Sequence, residues 1–301
     1  MVGAVPGGSL DQSGNGTVSM KLGLNTLLFT TGFDESHLPL LDKVKQWGFD
    51  GIEIARFSFD GFPARAIGQK VRDAGLECTF CSALTADLSL ISEDARVRRR
   101  ASDFIRQGVE TAAEIGSPVF AGPYCAPVGL LVGRRRTQDE WKRAVDELRA
   151  LAPHFEACKV ALANEPLNRF ETYFLNTAAD GVKLCEEVGS PWHGILFDTF
   201  HMNIEEKNVG DSLRATGKHV KHVHTCENDR GAPGSGNVAW ADVFAAAKAI
   251  GYDGWMVIES FGSNIPEIAA AACIWRDVAA SAEALSTEGL AFLRKNTAPV
   301  N

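Results

Sequence analysis

Apolar and polar positions alternate along this chain between two periods. Short, β-branched runs recur as "KLGLNTLLF" from Lys21, "GIEIARF" from Gly51, "LECTFCSAL" from Leu76 and "PVFAG" from Pro118. "KVALANE" from Lys159, "GILFD" from Gly194, "HVKHVH" from His219 and "WMVIESF" from Trp255 complete the series. Between them lie longer segments with apolar residues three and four apart, the spacing of one helix face. "LPLLDKVKQWG", "RRRASDFIRQGVETAAEIG", "EWKRAVDELRALAPHFEA" and "WADVFAAAKAIG" are the clearest. Four strand entries, "WGFDGIEI", "AGLECTF", "IGSPVF" and "IGYDGWMVI", follow a helix that ends in Gly, the residue that tolerates a left-handed C-cap. Thr137 and Glu140 have the spacing of an N-terminal capping box. Eight strand–helix units in roughly 280 residues predict an α/β fold, a closed (β/α)8 TIM barrel. An open doubly wound sheet would more typically carry G-x-G-x-x-G after its first strand, and "LNTLLFTTG" has none.

The first 19 residues depart from this alternation. "MVGAVPGGSLDQSGNGTVS" has no Lys, no Arg and no continuous apolar stretch. It reads as a Gly/Ser-rich disordered tail rather than a secretory signal, with a single catalytic domain over 20–301. No apolar run approaches 18 residues, so no membrane-spanning helix is expected. The net charge of −8 argues against a nucleic-acid partner, which would need a basic face. Arg98–Arg100 and Arg134–Arg136 lie beside acidic residues and read as solvated faces. Seven scattered cysteines without a disulfide framework suggest a reducing, cytoplasmic setting. Cys78 and Cys81 are three apart in a strand, hence on opposite faces, and no second C-x-x-C exists to complete a zinc cage.

In such a barrel the active site lies where strands end. The fifth to eighth strands end at Glu165, Asp198, His224 and Glu259. Strand alternation that turns these inward also turns in Ala163, Leu196, His222 and Val257 one layer below. Three crowded carboxylates would raise each other's pKa values unless a cation sat among them. Three oxygen ligands and one imidazole suit Mn²⁺, Mg²⁺ or Co²⁺, with about two coordination positions left for substrate oxygens. Glu171, His201 and Arg230 follow in the adjoining loops, within reach of a ligand on that metal. Glu53 and His222 are expected below the site in structural or supporting roles. The Gly-rich "RGAPGSGN" reads as a mobile loop without a ligand.

"EPLNRFE" from Glu165, "FDTFHMNIEE" from Phe197, "HVHTCENDR" from His222 and "VIESF" from Val257 make the chain resemble the ketose 3-epimerases, the D-tagatose/D-allulose 3-epimerase group of the xylose-isomerase-like barrels. "GFDGIEI" from Gly48 and "WRD" from Trp275 agree more weakly. The resemblance runs from Met20 to the C-terminus. It implies one divalent metal, Mn²⁺ first with Co²⁺ or Mg²⁺ as alternatives, on Glu165, Asp198, His224 and Glu259. It further implies that Glu165 and Glu259 transfer protons, that Glu171, His201 and Arg230 hold the sugar, and that the protein is a homodimer or homotetramer. The expected reaction is epimerisation of a free ketose at C3 through an enediolate. An aldose–ketose isomerase, and a C-glycoside deglycosidase subunit working with a partner subunit, remain alternatives. The segment after the first strand lacks aromatics, "GPYCAPVGLL" lacks Trp, and Pro166 follows Glu165; a wider pocket around Asn25 and Pro123 would suit a larger aglycone. Related barrels that cut DNA at abasic sites need more metal ligands and a basic groove.

Overall fold

The computed structural model describes residues 19–297; the expected tail, up to residue 18, lies outside them. Eight parallel strands form a closed barrel in sequential order. They are β1 (Lys21–Asn25), β2 (Gly51–Ala55), β3 (Glu77–Cys81), β4 (Val119–Gly122), β5 (Ala161–Asn164), β6 (His193–Asp198), β7 (Val220–Thr225) and β8 (Trp255–Ile258). The ring closes where β1 pairs with β8, Leu24 opposite Ile258. Outside it run α1 (Pro39–Trp47), α2 (Ala64–Asp73), α3 (Ala95–Ile115), α4 (Gln138–Cys158), α5 (Ala178–Val188), α6 (Thr199–Glu205), α7 (Val209–Thr216), α8 (Trp240–Ala249), α9 (Pro266–Ala271) and α10 (Ala282–Thr297).

Each strand has two faces, and both are buried, as a parallel sheet under helices requires. Outward residues such as Leu24, Ile54, Phe80, Phe120, Leu162 and Phe197 join the helix faces in one continuous core. Phe80, Phe120 and Tyr124 stack in series, with centroids 5.7 and 4.7 Å apart. Gly108 lets α3 lie against this stack, because a Cβ there would come within 2.3 Å of the Phe120 ring. Inside the barrel Ala55, Cys81, Ala121, Ala163 and Leu196 cluster together. Their small volumes on β2 to β5 leave the C-terminal mouth open, while Cys78 faces the outer core as the spacing predicts.

The predicted caps are present. Gly48 and Gly116 cap α1 and α3 with φ of 100° and 94°. Thr137 and Glu140 form the capping box that opens α4. Arg98 pairs with Glu147, Arg134 with Glu140, and Arg136 with Asp180. All seven cysteines are free thiols. Among the described residues no helix is long and apolar enough to cross a membrane.

Three local expectations are corrected. The first strand stops at Asn25, whose Oδ1 accepts from the Leu27 N–H at 2.8 Å and turns the chain into a short 3-10 helix over Thr26–Leu28. His201 lies on α6 rather than in a loop, because Asp198 caps that helix by accepting from Phe200 N–H at 2.6 Å. "RGAPGSGN" is organised around Glu227, a fully buried carboxylate that accepts from Gly234 N, Val238 N and Trp240 Nε1.

Candidate metal and active site

Four adjacent strands deliver the polar groups. Asp198 is the last residue of β6 and His224 the penultimate residue of β7; Glu165 and Glu259 lie one residue beyond β5 and β8. Glu165 is fixed there by its N–H, which donates to Gly122 O at 3.0 Å. One ligand atom from each of Glu165, Asp198, His224 and Glu259 lies within 4.8 Å of the others, all buried. The structure thus brings together the predicted ligand quartet.

The layer below holds the imidazole in place. Glu53 Oε1 is 2.6 Å from His224 Nε2, and Glu53 Oε2 is 2.7 Å from His222 Nε2. Asn25 Nδ2 and Thr79 Oγ1 donate to the same carboxylate at 2.9 and 3.0 Å. Burial works against the Glu53 charge, but His224 and His222 hold its carboxyl well below the ordinary range. Asn25 therefore supports Glu53 beneath the pocket instead of widening the pocket itself. With Nε2 committed to Glu53, His224 turns Nδ1 upward, 3.2 Å from Glu259 Oε2 and 3.9 Å from Asp198 Oδ2.

The electrostatics are those of a cluster short of positive charge. Burial pushes the Glu165 carboxyl well above its usual range, and the nearby charges of Glu259 and Asp198 push it further. Asp198 is raised by burial, which Arg230 opposes. Burial also works against the charge of Glu259, yet His224 and Arg230 hold it down. Burial lowers His224, but Glu259 and Glu53 carry it well above the imidazole range. Glu165 Oε1 and His224 Nδ1 are buried without a hydrogen-bond partner. Two orphaned donor atoms among three carboxylates fit a divalent cation, which would replace the Nδ1 proton and satisfy Glu165.

The remaining predicted residues line the same cavity. Arg230 Nη1 donates to Asp198 Oδ2 at 3.0 Å and to Glu259 Oε2 at 3.1 Å. Its guanidinium is held between the rings of Phe200 and Phe261, at 4.0 and 4.8 Å. The backbone at Arg230 is left-handed, φ 64°, and its N–H donates to Glu227 O at 3.0 Å, so the Glu227-centred loop aims this side chain. His201 Nε2 is 3.6 Å from Glu165 Oε1. Burial, then Arg230 and His224, push His201 well below the ordinary imidazole range.

The cavity has a volume of about 230 Å³, with Glu165, Glu171, His201, His224, Arg230 and Glu259 on one side. Leu27, Phe57, Pro123, Val128, Phe261 and Ile268 wall the rest. In the sequence Phe57 falls in the strand run "GIEIARF" and Val128 in the loop "GPYCAPVGLL", with neither assigned to the pocket; β2 in fact stops at Ala55, and no local pattern tells a cavity wall from an exposed apolar residue. Glu53 was legible as an inward carboxylate, but its bond to His224 was not.

A closed barrel of eight parallel strands is the architecture of a family of known proteins. The chain belongs to the xylose isomerase-like TIM barrel family, whose model matches residues 41–296. Among its relatives, a probable ketose 3-epimerase of Synechocystis sp. is 37% identical over 92% of this chain and 96% of its own length. The L-ribulose 3-epimerase of Mesorhizobium japonicum is 32% identical over 91% and 93%. A solved structure of an L-ribulose 3-epimerase superposes with a TM-score of 0.88 at 32% identity, covering 92% of this chain and 94% of its own. A D-psicose 3-epimerase solved in the presence of D-fructose gives 0.84 at 29%, covering 92% and 99%.

Proposed function

We propose that this protein epimerises a free ketose at C3, with Glu165 and Glu259 as the two proton-transfer groups. The observation that carries the reading is that both carboxylates belong to one buried donor set bordering one cavity. Inverting a carbon by proton transfer requires a base on each side of it. One Glu removes the C3 proton and the other returns a proton to the opposite face. Negative charge then develops on O2, and the Arg230 guanidinium, whose Nη2 lies 3.1 Å from His201 Nε2, answers it together with that imidazole. Glu171 holds a hydroxyl further along the sugar.

Glu165, Asp198, His224 and Glu259 would hold the divalent metal, Mn²⁺ in first place. When bound it supplies Lewis-acid polarisation of neighbouring sugar oxygens and compensates the carboxylate charge. The names of the relatives, L-ribulose, D-psicose and ketose 3-epimerases, support a ketose as substrate. The cavity, with Phe57, Phe261 and Ile268 on its walls, is closer in size to one sugar than to a glycoside with a bulky aglycone. We place the enzyme in the cytoplasm as a homodimer or homotetramer; the free cysteines support a reducing setting.

The test is an assay of the Mn²⁺-loaded protein with L-ribulose, D-fructose and D-tagatose, products separated by chromatography. A C3 epimer that disappears with EDTA and returns with Mn²⁺ is expected. An aldose product, or turnover indifferent to chelation, overturns the reading.

A further inference from the structure

The Gly-rich segment after β7 has no part in the chemistry above, yet it begins at Arg230. Its centre is the fully buried Glu227, whose carboxylate takes three N–H donors. Gly234 N at 2.8 Å and Trp240 Nε1 at 2.6 Å donate to Oε1, and Val238 N at 3.1 Å donates to Oε2. The loop fits tightly over this group, since a Cβ on Gly236 would come within 2.6 Å of Oε2. Trp240, the first residue of α8, is itself anchored in the outer layer, its ring 5.7 Å from Phe244 and 5.6 Å from Phe292 of α10.

The main chain of the same residue holds the turn that presents Arg230. Glu227 O accepts from Arg230 N at 3.0 Å, and Glu227 N donates to Gly231 O at 3.2 Å. Arg230 has a φ of 64°, a conformation that a residue with a Cβ keeps only where its neighbours hold it. Arg230 O accepts from Phe261 N at 3.2 Å, and Gly231 O accepts from Ser260 Oγ at 2.8 Å, so the turn is tied to the segment after Glu259. The cavity wall includes Arg230 but not Glu227.

We propose that Glu227 is a positioning residue that sets the Arg230 guanidinium against Asp198 and Glu259 from outside the cavity. Its side chain fixes the far limb of the loop, residues 234–240, to the start of α8. Its main chain fixes the near limb, residues 227–231, beside the site. With the far limb loosened, the left-handed turn relaxes and the guanidinium leaves its slot between Phe200 and Phe261. This inference deepens the proposed function and rests on its assignment of Arg230 to the charge that grows on O2.

Glu227→Gln tests it with little change of volume. An amide NH₂ must then face at least one of the three N–H donors, with which it cannot pair. Protein labelled with ¹⁵N-arginine and loaded with diamagnetic Mg²⁺, without sugar, reports the guanidinium directly. Its Nε–H signal, assigned by its loss in Arg230→Ala, is displaced in the native chain by the ring currents of Phe200 and Phe261. It should move towards the position of free arginine in Glu227→Gln. kcat should fall about 10-fold with KM within about twofold, because the charge on O2 grows only towards the transition state. Trp240→Phe keeps an aromatic ring and removes one donor, so it should shift the same signal less and lower kcat about threefold. Thermal melting shows which variants are folded.

A folded Glu227→Gln variant with the native Arg230 signal, or with unchanged kcat, overturns the proposal. If Glu227→Gln does not fold, Trp240→Phe decides, and a native signal with native kcat there overturns it equally. The signal is read without turnover. A native enzyme that epimerises no ketose would therefore count against the proposed function, while the hold of Glu227 on Arg230 stands or falls on the spectrum.

Discussion

The two halves of the barrel mouth are unlike. From β5 to β8 every strand end presents an ionisable group: Glu165, Asp198, His224 and Glu259. From β1 to β4 the interior positions near the mouth are Asn25, Ala55, Cys81 and Ala121, and the loops above add Leu27, Phe57, Pro123 and Val128. Glu53, the buried carboxylate of that half, sits a layer lower and is spent on His222 and His224. One arc supplies charge that demands a cation; the other supplies space and an apolar wall. In the proposed function chemistry and fit to the sugar fall to different arcs, so substitutions in the two arcs should have separable effects.

The largest effect is expected in the charged arc. Glu165→Gln removes a proposed proton-transfer group and should lower kcat by about 10³-fold, within the range of a lost general base, measured by steady-state kinetics with a ketose. Next comes its support: Glu53→Gln should weaken Mn²⁺ binding by about 10–100-fold in a calorimetric titration, because His224 loses the carboxylate that orients it. In the apolar arc Phe57→Ala should raise KM about fivefold and leave kcat near the native value, since it removes contact made equally in ground and transition states. A large kcat loss there would dissolve the distinction between the arcs.

The smallest effect is a pH slope at the foot of β6. His193 is buried with neither ring nitrogen hydrogen-bonded, and burial lowers its pKa to about 3. The unfolded chain binds this proton from near 6.5 downward while the folded chain refuses it, so the site costs stability as pH falls through 6.5 towards 3. His193→Leu should reduce the native loss of stability between pH 7 and pH 5, by about 1 kcal/mol per pH unit at most, in urea unfolding. Identical slopes in the two proteins would contradict it.

Much of this was readable from residue order. The eight strands announce themselves as apolar runs after helix-ending glycines, and the quartet announces itself as ionisable residues closing four successive runs. What escaped depended on single contacts across the barrel. "KLGLNTLLF" is apolar almost throughout, and only the Asn25 side chain on Leu27 N ends the strand early. "TFHMNIE" is too short for a helical period to show, and its start is set by Asp198. Asn168 reads as an ordinary loop residue until His201, 33 positions later, folds against it.

The central claim is that Asp198 and its three neighbours form a metal site serving proton exchange at C3. The direct test is turnover in D₂O by the Mn²⁺-loaded native enzyme and by Asp198→Asn, with sugars examined by NMR after the metal is removed. The account predicts deuterium at C3 together with the new epimer for the native enzyme, and neither for a folded Asp198→Asn variant. Label at C1 or C2 with an aldose product, or C3 exchange undiminished in the variant, would contradict it.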